Sequence, residues 1–338
     1  MRVAITGATG LLGANVAVAC VEAGHSVVCT HRESSNRALL DGVEVNWRQA
    51  SVQDVDALSE AFTGCDWVFH CAAMTSVLPK VTPALRATNV LGTDHVIEAV
   101  QRAGVSRLIH TSSTVAVGVS RTGEPSTEES PWNLPAVGLN DGYAITKRDS
   151  EQHVIEAAVA GQIDAVVVNP GFMFGPYDAK PSSGQMIMEV AAGRAKVYTP
   201  GKNCFVDARS VAKGMLLAAE KGRLGERYIL GGSNLSYQEV FGLIAEIVGQ
   251  APPKFCIPRA LAQPIGIGGD LVQWWTGREQ AITQMVLAWG YEPGFIFSSN
   301  KAMTELGYEP GSVREGIEAA WAWFQDPSNL CSRPARTE

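Results

Sequence analysis

Short apolar runs and stretches of helical periodicity alternate along the first half of the chain. Val3-Ala4-Ile5 is a short apolar run that stops at a glycine turn, and apolar residues at helical spacing follow from Leu11. The first pattern predicts a buried strand and the second a helix. Further predicted strands cover residues 26–30, 43–47, 66–73, 105–111 and 165–168, and predicted helices cover 11–23, 54–62, 81–103 and 143–160. This alternation predicts an α/β fold with a doubly wound parallel sheet, in which ligands bind at the carboxyl edge of the strands.

The turn between the first strand and the first helix carries three glycines, Gly7, Gly10 and Gly13. Glycine at these positions permits the tight turn, lets a pyrophosphate approach the backbone, and lets the helix pack close to the strand. The start of the helix offers free N–H groups and a partial positive charge to phosphate. A glycine-rich turn without a ligand is the alternative. We predict a dinucleotide site of the Rossmann type, formed by Gly7, Thr9, Gly10, Leu11, Leu12 and Gly13.

The residues at the end of the second strand decide which dinucleotide binds. An acidic residue there accepts hydrogen bonds from a ribose 2′-hydroxyl and repels a 2′-phosphate, whereas a basic residue favours the phosphate. The strand ends in Thr30-His31-Arg32, so we predict that Arg32 binds a 2′-phosphate, helped by Arg37 and nearby serine hydroxyls. A solvated surface charge is the alternative for Arg32. The predicted cofactor is NADP(H), with NAD as the other possibility.

Other parts of the cofactor would lie against the carboxyl ends of neighbouring strands. Ser51 and Val52 follow the third strand, where an adenine would rest. Ala72 and Ala73 end the fourth strand, and small side chains there let a dinucleotide lie across the sheet, although simple packing explains them equally well. Thr111 ends the fifth strand and is placed on the cofactor because ligands bind at this edge.

The pattern becomes less regular after Gly175. It predicts a strand at residues 226–230 and helices at 210–221, 236–248, 298–306 and 313–324, with Ser236 and Glu239 forming a capping box. A chain of 338 residues favours two domains. We expect a dinucleotide-binding domain over residues 1–176, with 208–232 returning to it, and a smaller substrate-binding lobe over 177–207 and 233–338.

Composition and charge exclude several classes of function. The chain is 46% hydrophobic and 18% charged, as is typical of soluble globular proteins. Its net charge of −7 argues against nucleic acid or an anionic membrane as a partner, and no apolar run approaches the roughly 18 residues of a membrane span. The seven cysteines are scattered and, like the six histidines, lack metal-ligand spacing. We expect a cytoplasmic protein with reduced thiols and no metal site.

Tyr143 and Lys147 lie at the start of a predicted helix and share one of its faces, because they are four residues apart. A phenol with a pKa near 10 is a poor acid or base at neutral pH, and an adjacent cation stabilises its phenolate. A tyrosine tuned in this way can exchange a proton with a carbonyl or an alcohol during hydride transfer. The same spacing recurs at Tyr198 and Lys202, but Pro200 between them excludes a helix.

These motifs occur in the order found in the extended short-chain dehydrogenase/reductases, and the chain resembles that family, in particular its dihydroflavonol-reductase-like branch. The matching residues are Thr-Gly-x-x-Gly-x-x-Gly at 6–13, His70-Cys-Ala-Ala73, Asn89, Ser113 and Tyr143-x-x-x-Lys147. The resemblance implies that Ser113 binds the substrate oxygen, with Thr114 as the weaker candidate for this role, and that Tyr143 is the general acid/base. It implies that Lys147 binds the nicotinamide ribose and lowers the pKa of the tyrosine.

The same resemblance implies further roles. Asn89 would belong to a supporting proton relay, and the segment after the sixth strand, Pro170, Gly171 and Phe172, would pack on the nicotinamide. The protein would be a homodimer built on the helices that carry Asn89 and Lys147.

The sequence departs from the family at two points. Phe172 stands where many nucleotide-sugar epimerases of the family have an asparagine, which favours the reductase-like branch. Ser51-Val52 stands where the family usually has Asp-Leu, which leaves the adenine contact open. We predict an NADP(H)-dependent oxidoreductase that reduces a carbonyl to a secondary alcohol, or the reverse. The alternatives are an NAD-dependent nucleotide-sugar epimerase and a non-catalytic, NADP-sensing regulatory protein.

An apolar pocket above the site is a further prediction. Phe172, Phe174, Trp132 and Trp274 are candidates for its lining, with core packing as the alternative for each. Residues 121–140 are long enough to form a flap over the site, and an ordinary surface loop is the alternative.

Overall fold

The computed structural model describes residues 1–76, 78–179, 181–276, 282–326 and 329. Its strands are β1 (Arg2–Thr6), β2 (Ser26–His31), β3 (Asn46–Gln49), β4 (Trp67–His70), β5 (Arg107–Thr111), β6 (Ala165–Pro170), β7 (Phe172–Phe174), β8 (Val197–Tyr198), β9 (Lys202–Asp207), β10 (Arg227–Leu230), β11 (Ser233–Ser236) and β12 (Phe255–Cys256). Its α-helices are α1 (Leu11–Glu22), α2 (Val55–Phe62), α3 (Pro83–Leu85), α4 (Gly92–Ala103), α5 (Gly142–Val159), α6 (Gly184–Ala191), α7 (Ala208–Lys221), α8 (Tyr237–Val248), α9 (Arg259–Thr276), α10 (Gln284–Tyr291), α11 (Asn300–Leu306) and α12 (Val313–Gln325). One of the seven cysteines, Cys331, lies outside the described residues.

Seven parallel strands form the central sheet, in the order β3-β2-β1-β4-β5-β6-β10. The predicted doubly wound parallel sheet is therefore confirmed. The strand order reverses at β1, which lies between β2 and β4. The carboxyl ends of β1 and β4 thus border the crevice in which sheets of this kind bind ligands.

Successive side chains of β1 pack into two hydrophobic cores, one on each face of the sheet. Val3 and Ile5 pack on one face with residues of α1 and α7, among them Met215. Ala4 packs on the other face with residues of α2, α4 and α5, among them Phe62. The alternation follows from the two-residue period of a strand. Full burial of a side chain such as Phe62 contributes roughly 1.5–3 kcal/mol, so the sheet that carries the crevice is stabilised from both faces.

The chain returns to the central sheet after β9. Helix α7 packs against α1, and β10 pairs in parallel with β6. Residues of β7, β9 and β11 form a separate three-stranded sheet, over which α6, α8 and α12 pack around Phe174 and Phe205. These two rings are stacked with centroids 5.8 Å apart. The domain boundaries drawn from the sequence stay a prediction.

Two local predictions are confirmed. The Ser236 hydroxyl accepts from the Glu239 backbone N–H, and the Glu239 carboxylate accepts from the Ser236 backbone N–H, which is the predicted capping box. Tyr198 lies in β8 and Lys202 starts β9, so the second Tyr-x-x-x-Lys copy is not helical.

None of the helices among the described residues is long and apolar enough to span a bilayer.

Several predicted elements have different bounds. Strand β3 starts at Asn46 instead of residue 43, and β4 ends at His70 instead of 73. Strand β4 ends early because the chain bends across the glycine turn, where the Ala72 N–H donates to the Thr6 hydroxyl at 3.2 Å. The helix predicted at 81–103 starts at Pro83, a first helical position that needs no N–H, and contains the π-helical segment Arg86–Leu91.

Candidate active site

The glycine turn holds backbone segments too close together for side chains. Gly7 has a φ of 74°, and a Cβ there would lie 2.6 Å from the Ala72 nitrogen. A Cβ on Gly13 would lie 2.3 Å from the Gly7 carbonyl oxygen. Gly10 differs, because a Cβ there meets only the Gly7 oxygen at 3.5 Å and the residue is exposed. Gly7 and Gly13 are therefore required for the close packing of the turn. Gly10 instead leaves the outer surface of the turn free of a side chain.

The start of α1 fits a pyrophosphate. Gly10 is the N-cap and offers no side-chain cap, and the first turn contains no acidic residue. The first-turn N–H groups of Leu11, Leu12 and Gly13 have no helical acceptor and point out of the helix end. Thr9 lies half-buried beside them. A dianion at this position would satisfy the N–H groups and interact favourably with the helix dipole.

A cleft of about 440 Å³ lies beyond the ends of β2 and β3. It is lined by Arg32, Glu33, Ser34, Gln49, Ala50, Ser51, Asp54 and Ala57. The structure thus brings Arg32 and Ser51, two of the predicted cofactor residues, to one cleft. Arg37 and Val52 are not among its lining residues: Arg37 starts a 3-10 turn, and Val52 packs toward Gly92 while its carbonyl contacts the His95 ring at 2.9 Å.

Helix α5 carries Tyr143 and Lys147 on the side that faces the carboxyl edge of the sheet. Asp141 caps the helix, accepting from the Ala144 N–H at 3.0 Å. The Lys147 side chain is buried, and its ammonium donates to the Thr111 backbone carbonyl at the end of β5, at 2.7 Å. This bond fixes the face of α5 that carries Tyr143 and Lys147 against β5.

The Tyr143 phenol interacts with the side chain of Ser113, which follows β5. Burial raises the pKa of Tyr143 to about 12; the interaction with Ser113 lowers it, and the Asp141 carboxylate raises it further. The expectation that Lys147 leaves this tyrosine with a lowered pKa is therefore wrong for the protein residues alone. The physical reason is that desolvation of the phenolate outweighs the neighbouring groups.

Lys147 is itself perturbed by burial. Desolvation lowers its pKa to about 8, opposed by Cys71 and Glu151. The buried His70 ring bonds the Thr6 hydroxyl at 2.7 Å and the Thr93 hydroxyl at 3.1 Å. Burial, and secondarily Lys147, lowers the pKa of His70 to about 3, so its imidazole is neutral.

Asn89 lies on the π-helical segment and joins two parts of the site. Its amide donates to the Met74 carbonyl at 2.9 Å and to the Thr146 hydroxyl at 3.0 Å, and its oxygen accepts from the Met74 N–H at 2.8 Å. The Thr146 hydroxyl in turn donates to the Tyr143 carbonyl at 2.9 Å. Asn89 thus fastens the segment after β4, which contains Ala72 and Ala73, to the helix that carries the tyrosine.

The segment after β6 packs closely against β9. A Cβ on Gly171 would lie 2.5 Å from the Cys204 carbonyl oxygen, and Pro170 is buried at the end of β6. Phe172 is half-buried, with its ring 5.4 Å from that of Phe205.

The four aromatic candidates for a pocket lining differ in their surroundings. Phe174 is 1% exposed and belongs to the hydrophobic core. The prediction that it lines a pocket is therefore wrong, and core packing is the correct alternative. Trp274 is 83% exposed on α9. The Trp132 indole donates to the Val115 carbonyl at 3.0 Å. Residues 121–140 are anchored in their middle, since the buried Glu128 carboxylate accepts from the Ile229 N–H at 2.8 Å.

Three polar residues around the site were not predicted from the sequence. Asp141, Glu151 and Asn169 are 2%, 0% and 0% exposed. Each had a signal: Asp141 stands where a helix cap is expected, Glu151 follows Lys147 by four residues on the same helix face, and Asn169 directly follows the buried strand predicted at 165–168.

Comparisons with known proteins identify the family of the chain. The family model described as the NAD dependent epimerase/dehydratase family matches residues 3–231. Sterol demethylase protein B of Methylococcus capsulatus is 32% identical over 333 residues, covering 96% of this chain and 99% of that protein. A Synechocystis protein named putative dihydroflavonol 4-reductase is 32% identical over 327 residues, covering 95% of this chain and 94% of that protein.

A solved structure shows the same fold. PA4631 of Pseudomonas aeruginosa, described as a nucleoside-diphosphate-sugar epimerase, has a TM-score of 0.80 and 30% identity, covering 98% of this chain and 99% of that chain. The matched family range contains the glycine turn, Ser113, Tyr143 and Lys147. The chain therefore belongs to the NAD dependent epimerase/dehydratase family, within the extended short-chain dehydrogenase/reductase superfamily of NAD(P)-dependent enzymes.

Proposed function

We propose that the protein is an NADP(H)-dependent oxidoreductase that interconverts a carbonyl and a secondary alcohol. One observation carries the proposal: the Tyr143 phenol lies beside the Ser113 side chain, with Lys147 one turn further along α5, at the sheet edge that also carries the glycine turn. The relative named as a dihydroflavonol 4-reductase supports the same class of reaction. When bound, the nicotinamide exchanges a hydride with the substrate carbon.

The residues would divide the work as follows. The turn at Gly7–Gly13 binds the pyrophosphate, Ala72 and Ala73 lie under the dinucleotide, and Thr111 with the segment from Pro170 to Phe172 flanks its nicotinamide half. Because the pKa of Tyr143 is raised to about 12, the phenol is protonated at neutral pH. It can therefore donate its proton to a substrate oxygen, which the Ser113 hydroxyl also binds.

Lys147 and Asn89 act behind the tyrosine. Lys147, held by the Thr111 carbonyl at 2.7 Å, presents a cation to the nicotinamide ribose. Asn89 links the segment after β4 to α5 through Met74 and Thr146, a position consistent with the predicted relay.

The experiment is a steady-state assay of NADPH oxidation with a panel of aromatic and alicyclic ketones, aldehydes and phenanthrenequinone. Tyr143→Phe is expected to lower kcat by about a hundredfold or more, with NADPH affinity nearly unchanged. Tyr198→Phe is the matched control, because that tyrosine belongs to the non-helical Tyr-x-x-x-Lys copy in β8. Equal losses in both variants, or no reduction of any carbonyl by the wild type, would reject the proposal.

The preference for NADP(H) is the second part of the proposal. Arg32 lines the cleft beyond β2 together with Ser34 and Ser51, groups suited to a 2′-phosphate. Glu33 lines the same cleft, so the choice between the dinucleotides depends on which side chain reaches the ribose. Titration of NADPH and NADH against the wild type and Arg32→Ala separates the two.

A nucleotide-sugar epimerase is the other candidate, and the similarity to PA4631 favours it. Such an enzyme would show no net oxidation of NADPH. Mass spectrometry of the dinucleotide released from purified protein, followed by assay with nucleotide sugars, distinguishes the two functions.

We further propose that the protein is a cytoplasmic homodimer built on α4 and α5. The resemblance to the family supports the dimer, as does Leu91, which is 44% exposed next to α4. Burial raises the pKa of the Cys20 and Cys29 thiols, which fits residues that stay reduced. Sedimentation equilibrium of the wild type and Leu91→Glu tests the dimer; an unchanged mass would move the interface elsewhere.

A further inference from the structure

A fully buried carboxylate lies one turn beyond the catalytic lysine. Glu151 is 0% exposed and follows Lys147 by one turn on the same face of α5. One of its oxygens, Oε1, accepts from Arg227 at 2.9 Å and from Arg148 at 3.1 Å. A buried charge is retained only where it is paired and hydrogen-bonded, and these two arginines supply the pairing.

The other carboxylate oxygen faces Asn169 at the end of β6. Glu151 Oε2 accepts from Asn169 Nδ2 at 2.6 Å, and the same nitrogen donates to the Ser113 backbone carbonyl at 3.0 Å. Both neighbours are acceptors, so only the NH₂ group of the amide can face them. The Asn169 Oδ1 atom is consequently buried without a partner among the described residues. The carboxylate thus imposes the amide orientation, at the cost of an unpaired acceptor.

The Ser113 carbonyl is held from two sides. Besides Asn169 Nδ2, it accepts from the Ala116 N–H at 3.0 Å. The adjacent Ser112 N–H donates to the Val168 carbonyl at 2.8 Å. These bonds fix the backbone from which the Ser113 hydroxyl projects toward Tyr143.

We propose that Asn169, oriented by the Glu151 carboxylate, is a positioning residue that fixes the Ser113 backbone and so aims the Ser113 hydroxyl at the substrate oxygen. The inference rests on the proposed function, in which Ser113 binds that oxygen. The direction of each hydrogen bond in this network is fixed. The Glu151 carboxylate can only accept, so the Asn169 amide donates both to Glu151 and to the Ser113 carbonyl.

The first variant is Glu151→Gln, which keeps the size of the side chain and can present an NH₂ to Asn169. The Asn169 amide can then turn its oxygen toward residue 151, and the Ser113 carbonyl loses its donor. We expect kcat for the panel carbonyl that the wild type reduces fastest to fall about ten- to a hundredfold, the scale of a small misplacement of a catalytic group. The Kd for NADPH should stay within about twofold, because the helix N-terminus and glycine turn that would bind the pyrophosphate lie outside this network.

The pair Asn169→Asp and Glu151→Gln/Asn169→Asp separates positioning from stability. Asn169→Asp alone places two carboxylates in contact and should lower Tm. In the double variant the glutamine can donate to the aspartate, so Tm should recover, but a carboxylate cannot donate to the Ser113 carbonyl, so kcat should stay low. Recovery of kcat together with Tm would overturn the inference, as would a wild-type kcat in Glu151→Gln.

Two controls complete the design. Asp164→Asn perturbs the Arg107 ion pair, whose side chains bond at 3.0 Å and 2.9 Å at the opposite edge of the sheet; it should lower Tm and leave kcat unchanged. Ser113→Ala tests the function on which the inference rests. If Ser113→Ala and Tyr143→Phe keep the wild-type rate, the proposed function fails. If both lose activity while Glu151→Gln keeps it, only the positioning role fails.

Discussion

Replacement of Lys147 by methionine should stabilise the fold at neutral pH and destabilise it at high pH. Burial lowers the pKa of Lys147 from its ordinary 10.5 to about 8. Below pH 8 Lys147 is charged in the folded protein, and its burial lowers the free energy of unfolding. At roughly 1.4 kcal/mol per pKa unit, this cost is about 3 kcal/mol. Methionine removes that cost but leaves the Thr111 carbonyl without its donor, which costs roughly 1–3 kcal/mol. At neutral pH the variant should therefore be about 1 kcal/mol more stable than the wild type, and inactive.

The pH dependence gives the sharper test, because neither methionine nor the Thr111 carbonyl titrates, so the pH-dependent part of the stability difference comes from Lys147 alone. Between the folded pKa and the unfolded pKa, the unfolded chain binds more protons than the folded one, so the stability of the wild type rises with pH in this window. The variant lacks this gain. The stability difference between the two proteins should therefore swing by roughly 3 kcal/mol between about pH 7 and pH 11, and change sign.

The assay is urea unfolding of both proteins across that range, with Lys213→Met, a replacement of an exposed lysine on α7, as the control. The control should differ from the wild type by an amount that does not depend on pH. A constant difference between wild type and Lys147→Met would show that burial does not penalise the ammonium. Lys147 would then not be a desolvated cation that is retained for function at the expense of stability.

Three further predictions concern the cofactor and the tyrosine. Gly13→Ala should lower Tm and NADPH affinity together in thermal melts and titrations, because its Cβ would lie 2.3 Å from the Gly7 oxygen; Gly268→Ala, at an exposed position of α9 with open space at its Cβ, should spare NADPH binding. Arg32→Ala should weaken NADPH by about tenfold or more, on the scale of a charge-assisted hydrogen bond, and NADH little; equal weakening in titrations would remove Arg32 from the phosphate site. Asp141→Asn keeps the helix cap but removes a carboxylate that raises the pKa of Tyr143, so the pH profile of alcohol oxidation should shift to lower pH, and an unshifted profile would contradict this electrostatic coupling.

The sequence predicts the central sheet well because its signals are local. The run at residues 3–5, the glycine turn and the apolar spacing of α1 each specify a short segment without reference to the rest of the chain. Strands β7 and β11 were not predicted, since three or four residues such as Phe172–Phe174 gain strand structure only by pairing with β9. The π-helical segment at Arg86–Leu91 likewise has no local sequence signal.

The site was predicted in part for the same reason. Spacing placed Tyr143 and Lys147 on one helix face, and the structure places the Tyr143 phenol beside Ser113. Spacing does not reveal desolvation, so the direction of the tyrosine pKa could not be predicted from it. Nor could it reveal that Arg37 is not among the residues that line the cleft with Arg32, because the course of an irregular segment depends on long-range contacts.

The polar residues buried beneath the site carry the strongest argument that this edge of the sheet is the functional one. Each of them interrupts an otherwise apolar interior, and burial of such groups costs stability unless they are paired. In the part of the chain that the structure describes, both ring nitrogens of His110 lack a hydrogen-bond partner, and its ring lies 5.4 Å from that of His70. Lys147 and Glu151 add two buried charges within the same layer. Hydrocarbon at these positions would not carry that cost, so we propose that the buried histidines and charges are retained because the proton transfer proposed for Tyr143 requires them.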